Sequence, residues 1–172
     1  MKLAVTDANI FIDLIKLQML ALLFNIDMEI HTTKEIVDQL NDQQGKQLTQ
    51  FIDAHHLQVH YLTAHQLQAV IALPAPRALE LADKSIAWLS LQLAATLLTS
   101  DGPLRKFCQS RHLEVKGIIW LFDVIVEKGL LHPVTAAHKM EALLQFNNRL
   151  PKDECSHRIH QWREKTLELV IQ

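Results

Sequence analysis

The feature that most constrains this chain is the regular exchange of two hydrophobic periods between residues 2 and 117. KLAVT (2–6), MEIHT (28–32), LQVHYL (57–62), TLLTS (96–100) and LEVKG (113–117) are short apolar or alternating runs. Between them lie segments 8–24, 34–42, 45–55, 63–73, 78–94 and 102–111, where apolar residues recur at helical spacing. The first period belongs to strands and the second to helices. Strands joined through helices lie parallel, because a parallel pair needs a long crossover. The expected fold is therefore α/β: a three-layer α/β/α sandwich around a mostly parallel sheet of about five strands. From about residue 118 to 171 the pattern is helical, with breaks near Gly129–Pro133 and Leu150–Pro151. We read residues 1–131 as the α/β domain and 132–172 as a helical C-terminal extension packed on or beside it.

Composition narrows the class. A chain of 172 residues supports one good core. Four glycines and five prolines argue against long flexible linkers. No apolar stretch approaches the roughly 18 residues of a membrane span, and the N-terminus lacks a signal-peptide layout. Cys108 and Cys155 suggest no disulfide framework, so a reducing cytoplasm is the expected compartment. The net charge of −2 counts mildly against a nucleic-acid binder. Acids gathered in a metal site would mask basic groups elsewhere, however, and the cations are unevenly placed. Arg105, Lys106, Arg111 and Lys116 form one group, and Arg149, Lys152, Arg158, Arg163 and Lys165 another. Both are also compatible with solvated helix faces.

In an open parallel sheet the functional crevice lies at the carboxyl ends of the strands. Asp7 follows the first strand and Asp101 follows TLLTS, so both project to that edge. Asp83 lies in a helix among Leu81, Ala82, Ile86 and Ala87, where an ionised group needs a partner or a metal. Each acid has an ordinary reading. Asp7 suits a helix N-cap, and Asp83 suits a first turn facing the helix dipole. Taken together they suggest one site, where a divalent cation offsets the repulsion. Mg²⁺ and Mn²⁺ prefer oxygen ligands and suit phosphodiester hydrolysis.

Competing chemistries find less support. No glycine-rich phosphate loop and no Gly-x-Ser-x-Gly turn is present. The ten histidines invite a zinc reading through Cys108 with His112, or Cys155 with His157 and His160. Neither group shows the paired spacing of structural zinc. His55, His56, His60 and His65 read as surface residues. Trp88, Trp120 and Trp162 fall in apolar helical patterns and read as packing residues.

Three motifs now stand in order. VTDANIFIDL, LELADKSIAWLS and TLLTSDGPLRKF together resemble the PIN-domain family over residues 1–131, with GIIWLFDVIVEKGLL as a late helix. The extension is similar to that of some bacterial PIN-like proteins. The resemblance implies a Mg²⁺- or Mn²⁺-dependent ribonuclease, often the toxin of a VapBC-type toxin–antitoxin pair. It carries over Asp7, Asp83 and Asp101 as catalytic metal-site carboxylates. Asn9 and Thr99 would be polar supports and Ser85 a nearby hydroxyl. Arg105 and Lys106, just after Asp101, would contact the RNA phosphates.

The chain departs from the family once. A glutamate is expected before the leucine in the helix after strand two, where TTKEIVDQL has Gln39 before Leu40. Glu35 or Asp38 are the substitute ligands. A weaker metal site is the expected consequence, and an inactive RNA- or protein-binding module is the alternative function. The long helical end leaves homodimerisation and an antitoxin contact as open readings. No membrane partner is expected.

Overall fold

The computed structural model describes residues 2–170, with side chains described as far as residue 164. Lys165, one of the basic residues noted above, lies outside the described side chains. Five strands, β1 (Lys2–Thr6), β2 (Met28–Thr33), β3 (Leu57–His60), β4 (Thr96–Leu98) and β5 (Val115–Lys116), form one sheet among the described residues. Every pairing is parallel, and the order is β3-β2-β1-β4-β5. The central strands have no solvent face: Ala4, Val5, Leu97 and Leu98 are all fully buried. That explains their continuous apolar sequence.

The helices are α1 (Ala8–Lys16), α2 (Leu20–Leu23), α3 (Lys34–Val37), α4 (Asp42–Asp53), α5 (Ala64–Ile71), α6 (Leu81–Leu93), α7 (Gly102–Ser110), α8 (Ile118–Glu127), α9 (Pro133–Phe146) and α10 (Lys152–Val170). The chain steps outward from β1 to β2 and β3, then returns across β1 to β4 and β5. Right-handed crossovers therefore place the first helices on one face and α5, α6 and α7 on the other. The contacts agree in the main, since α1 meets α4 while α6 meets α5, α7 and the three central strands; the short α3, at the end of β2, also reaches α6.

Two helical segments resolve into shorter pieces. The 8–24 pattern, which suits one long or two short helices, is two, because Gln18 takes a left-handed conformation (φ 56°). The 34–42 stretch stops after Val37, and a new helix starts at Asp42. Asn41 sets that start through a reciprocal capping box with Gln44, which satisfies free N–H groups at both positions.

The extension shares the core. Ala136, Ala137, Met140, Leu143, Cys155, Ile159 and Trp162 are buried in one cluster with the residues of β1 and α1. Polar ties run the same way: Lys139 Nζ donates to Leu17 O at 2.7 Å, and Asn147 Nδ2 to Asp13 Oδ2 at 2.8 Å. Among the described residues, no helix is long and apolar enough to cross a membrane.

Candidate active site

The strand order reverses at β1, so the crevice between β1 and β4 is the topological switch point, where open parallel sheets bind ligands. Asp7 leaves β1 and Asp101 follows β4 at this place. Asp7 N donates to Leu98 O at 3.0 Å, which pins the two strand ends together.

Thr99 is the hub. Its fully buried hydroxyl donates to Asp7 Oδ2 at 2.5 Å. Thr99 Oγ1 in turn accepts from Asp101 N at 3.0 Å and from Asn9 Nδ2 at 3.3 Å. Asn9 Nδ2 also donates to Asp7 Oδ2 at 2.5 Å, and Asn9 Oδ1 accepts from Ser100 N at 3.0 Å. Asn9 and Thr99, expected as polar supports, therefore fix Asp7 and the 99–101 backbone together.

The acids are electrostatically coupled. Asp7 is buried, and desolvation pushes its carboxyl up to about 6. The Thr99 bond opposes that rise, and the charges of Asp83 and Asp101 add to it. Asp83 is raised as well, first by burial and further by Asp101 and Glu80, against a backbone bond from Glu80 that lowers it. Asp83 and Asp101 also hold their own helix starts. Asp83 Oδ2 accepts from Glu80 N at 2.9 Å, and Asp101 Oδ1 from Leu104 N at 2.8 Å. Asp7, the acid whose isolated reading was a cap, makes no side-chain cap bond. Among the described residues, no three His, Cys, Asp or Glu groups are gathered as a ready metal cage. The donor chemistry fits a hard divalent cation, since mutually repelling carboxylates raise one another's affinity for positive charge. The present hydrogen bonds of Asp83 and Asp101 are what such an ion would compete with.

The remaining expected residues separate. Gln39 lies exposed in the turn after α3, and Asp38 is exposed in an ion pair with Lys34. Glu35, in the first turn of α3 at the end of β2, has a buried Oε2 with no hydrogen-bond partner. The Ser85 hydroxyl bonds Thr33 Oγ1 at 2.7 Å and donates to Ala82 O at 2.7 Å, joining β2 to α6 rather than touching a carboxylate. Arg105 turns inward: Nη2 donates to Thr99 O at 2.9 Å and Nη1 to Val115 O at 3.2 Å. Gly117 makes room for it, since a Cβ there would stand 3.0 Å from Nη2. Lys106 is exposed on the outer side of α7.

One sequence expectation changes. His60 is half-buried, and its Nε2 lies 2.9 Å from Nδ1 of buried His31, which had drawn no notice. Burial lowers both histidines below their ordinary range, so the pair is neutral near pH 7. The alternation of MEIHT, with His31 between Ile30 and Thr32, was the available signal. Cys108 and Cys155 are buried free thiols, as expected for packing residues.

Fold and site together define a parallel α/β protein with acids at its switch point. A PIN-domain family model matches residues 3–164, and the chain belongs to that family. The match continues through α9 and well into α10. PIN domains are generally metal-dependent nucleases. Among solved structures, a domain of a functionally unknown protein from Methanocaldococcus jannaschii DSM 2661 is similar at 17% identity and a TM-score of 0.48. That likeness covers 69% of this chain and 91% of the other. No curated protein gives a significant match.

Proposed function

We propose that the protein is a Mg²⁺- or Mn²⁺-dependent endoribonuclease acting on single-stranded or looped RNA. The observation that carries this reading is the buried Asp7, raised by burial and by two neighbouring acids at the switch point. Asp7, Asp83 and Asp101 would hold the ion, with Glu35 as a fourth oxygen donor whose Oε2 is otherwise unpartnered. When bound, such an ion polarises the phosphodiester and lowers the pKa of water. The chain's own part is positional. Thr99 and Asn9 fix Asp7, and the Arg105 clamp on Thr99 O and Val115 O holds the β4 and β5 ends in register. Lys106 is the exposed cation free to meet a phosphate. The toxin role in a VapBC-type pair is the proposed setting, tested by whether the gene lies beside a small one encoding a DNA-binding antitoxin.

The direct test is cleavage of single-stranded RNA with Mn²⁺, with Mg²⁺ and in EDTA. Cleavage with either metal and none in EDTA is expected. Cleavage that persists in EDTA overturns the reading. Glu35→Gln is expected to weaken Mn²⁺ affinity by roughly 10-fold. Gln39→Glu is expected to leave it unchanged, because position 39 faces solvent. The reverse pattern would return the missing ligand to Gln39.

A second reading, a binding module without catalysis, draws on one observation: the acids are not preassembled as a cage among the described residues. Mn²⁺ that neither raises the melting temperature nor supports cleavage would favour it.

A further inference from the structure

A cavity of about 490 Å³ opens between the tips of β4 and β5, the first turn of α8 and the connection from α9 to α10. A second, of about 390 Å³, is lined by Asn9, Asp13, Lys16 and Asn147. Ser100 and Arg149 line both, so the two cavities adjoin there and make up one extended cleft in the surface. One end reaches Asn9, which bonds the Asp7 carboxylate. The other end reaches Lys116 and Trp120, where Lys116 Nζ lies 5.8 Å from the centre of the indole ring.

The cleft is cationic in a protein whose net charge is −2. Arg105, Lys116, Arg149 and Arg158 face the larger cavity against Glu154 alone. Three of these cations are already engaged. Arg105 holds backbone carbonyls, Arg158 Nε is 2.8 Å from Asp123 Oδ2, and Lys116 Nζ is 3.2 Å from Glu114 Oε1. Arg149 differs: its side chain is exposed, and its charge acts on the nearby Asp13 carboxyl, which it lowers, without closing on it as an ion pair or hydrogen bond among the described residues.

Its position is nevertheless fixed. Arg149 N donates to Asn147 Oδ1 at 3.2 Å, and Asn147 Nδ2 donates to Asp13 Oδ2 at 2.8 Å. Asp13 lies on α1, one turn beyond Asn9, so this chain of bonds fastens the α9–α10 connection to the helix that begins at the site. Beside it, Ser100 Oγ is buried and has no hydrogen-bond partner.

We infer that this cleft is the seat of the single-stranded RNA on one side of the scissile phosphate, with Arg149 contacting a backbone phosphate and Trp120 with Lys116 receiving the adjacent nucleotide. The inference rests on the nuclease reading for its ligand class. A polyanionic strand needs cations set beside the acids rather than among them, and a guanidinium binds phosphate through two parallel donors. An aromatic face flanked by a cation is how single strands are held without reading sequence. The extension thus supplies part of the substrate site and does more than cover the core.

The test is binding of a fluorescein-labelled 12-nucleotide single-stranded RNA, followed by anisotropy in EDTA, where cleavage does not interfere. Arg149→Ala is expected to raise Kd by about 5- to 10-fold. It should also reduce the slope of log K against log salt by about 0.7. Trp120→Leu is expected to raise Kd by at least about fivefold with the slope unchanged. Lys46→Ala, an equal charge change on the outer face of α4, should alter neither quantity. Arg149→Ala behaving like Lys46→Ala overturns the inference. The two readings fail separately. RNA bound through Arg149 but never cut with Mn²⁺ sinks the nuclease and keeps the cleft. RNA cut by Arg149→Ala with wild-type KM and Kd sinks the cleft and keeps the nuclease.

Discussion

Asp7→Asn is expected to abolish RNA cleavage and, at neutral pH, to make the protein more stable. Residues that only support a metal ligand already contribute about 10- to 100-fold, so loss of the central carboxylate should exceed 100-fold. The stability gain follows from the raised pKa. An acid moved from 3.8 to about 6 on folding binds more protons in the folded state between those values. Stability from this group is therefore greatest in acid and falls as pH rises through about 6. The cost at pH 7.5 relative to pH 4 is about 2 to 3 kcal/mol, and the asparagine does not bear it. Part of the gain is offset, because an amide cannot accept from every donor that now faces Asp7. The check is urea unfolding of both proteins at pH 4 and pH 7.5. The difference between wild type and variant should grow with pH and shrink when Mn²⁺ is added. A pH-independent difference would mean that Asp7 is not held in a desolvated, acid-crowded place. Cleavage retained by Asp7→Asn would remove Asp7 from the chemistry.

Thr99→Val is expected to damage fold and function together. The hydroxyl uses its one proton on Asp7 and its lone pairs on Asp101 N and Asn9 Nδ2. A valine methyl leaves a buried carboxylate without one donor and a backbone N–H without its acceptor. A bond to a charged group and an orphaned donor together amount to roughly 3 kcal/mol. Activity should drop by about 10- to 100-fold, the usual effect of removing an outer support. The same change should move Asp7 further above its present value, since the Thr99 bond is the main influence holding it down. Thr99→Ser keeps the hydroxyl and should recover most of both losses. A serine variant as impaired as the valine variant would show that the methyl group, not the hydrogen bonds, was needed.

Much of the fold was legible because β and α periods differ and alternate. Strand ends gave Asp7 and Asp101 by a rule of parallel sheets, without any knowledge of side-chain direction. Boundaries were less legible where a cap overrides a period. Asn41 ends one pattern and starts another inside what looked like a single helix. Gln39 drew attention through the family resemblance, yet a turn carries it into solvent while Glu35 keeps a buried oxygen. For Arg105 and Ser85 the position along the chain was legible but the partners were not: Arg105 holds two backbone carbonyls, and Ser85 joins Thr33 to Ala82. The cleft was invisible for a different reason. Lys116 and Arg149 are separated by two helices in the chain, and only packing of the extension against α1 brings them together.

The hydrogen bond between Asp7 and Thr99 spans 92 positions along the chain. It closes only after four strands and the crossover back past β1 have been made. Synthesis proceeds from the N-terminus at about 5 to 20 residues per second, so Asp7 exists for several seconds before its hub does. During that interval the first strands carry Asp7 and Glu35 without Asp101, and Asp83 arrives only with α6, shortly before Thr99. On the proposed reading, the metal site lacks Asp101 until β4 has been made. The site's late closure is thus a form of timing, written into the strand order itself.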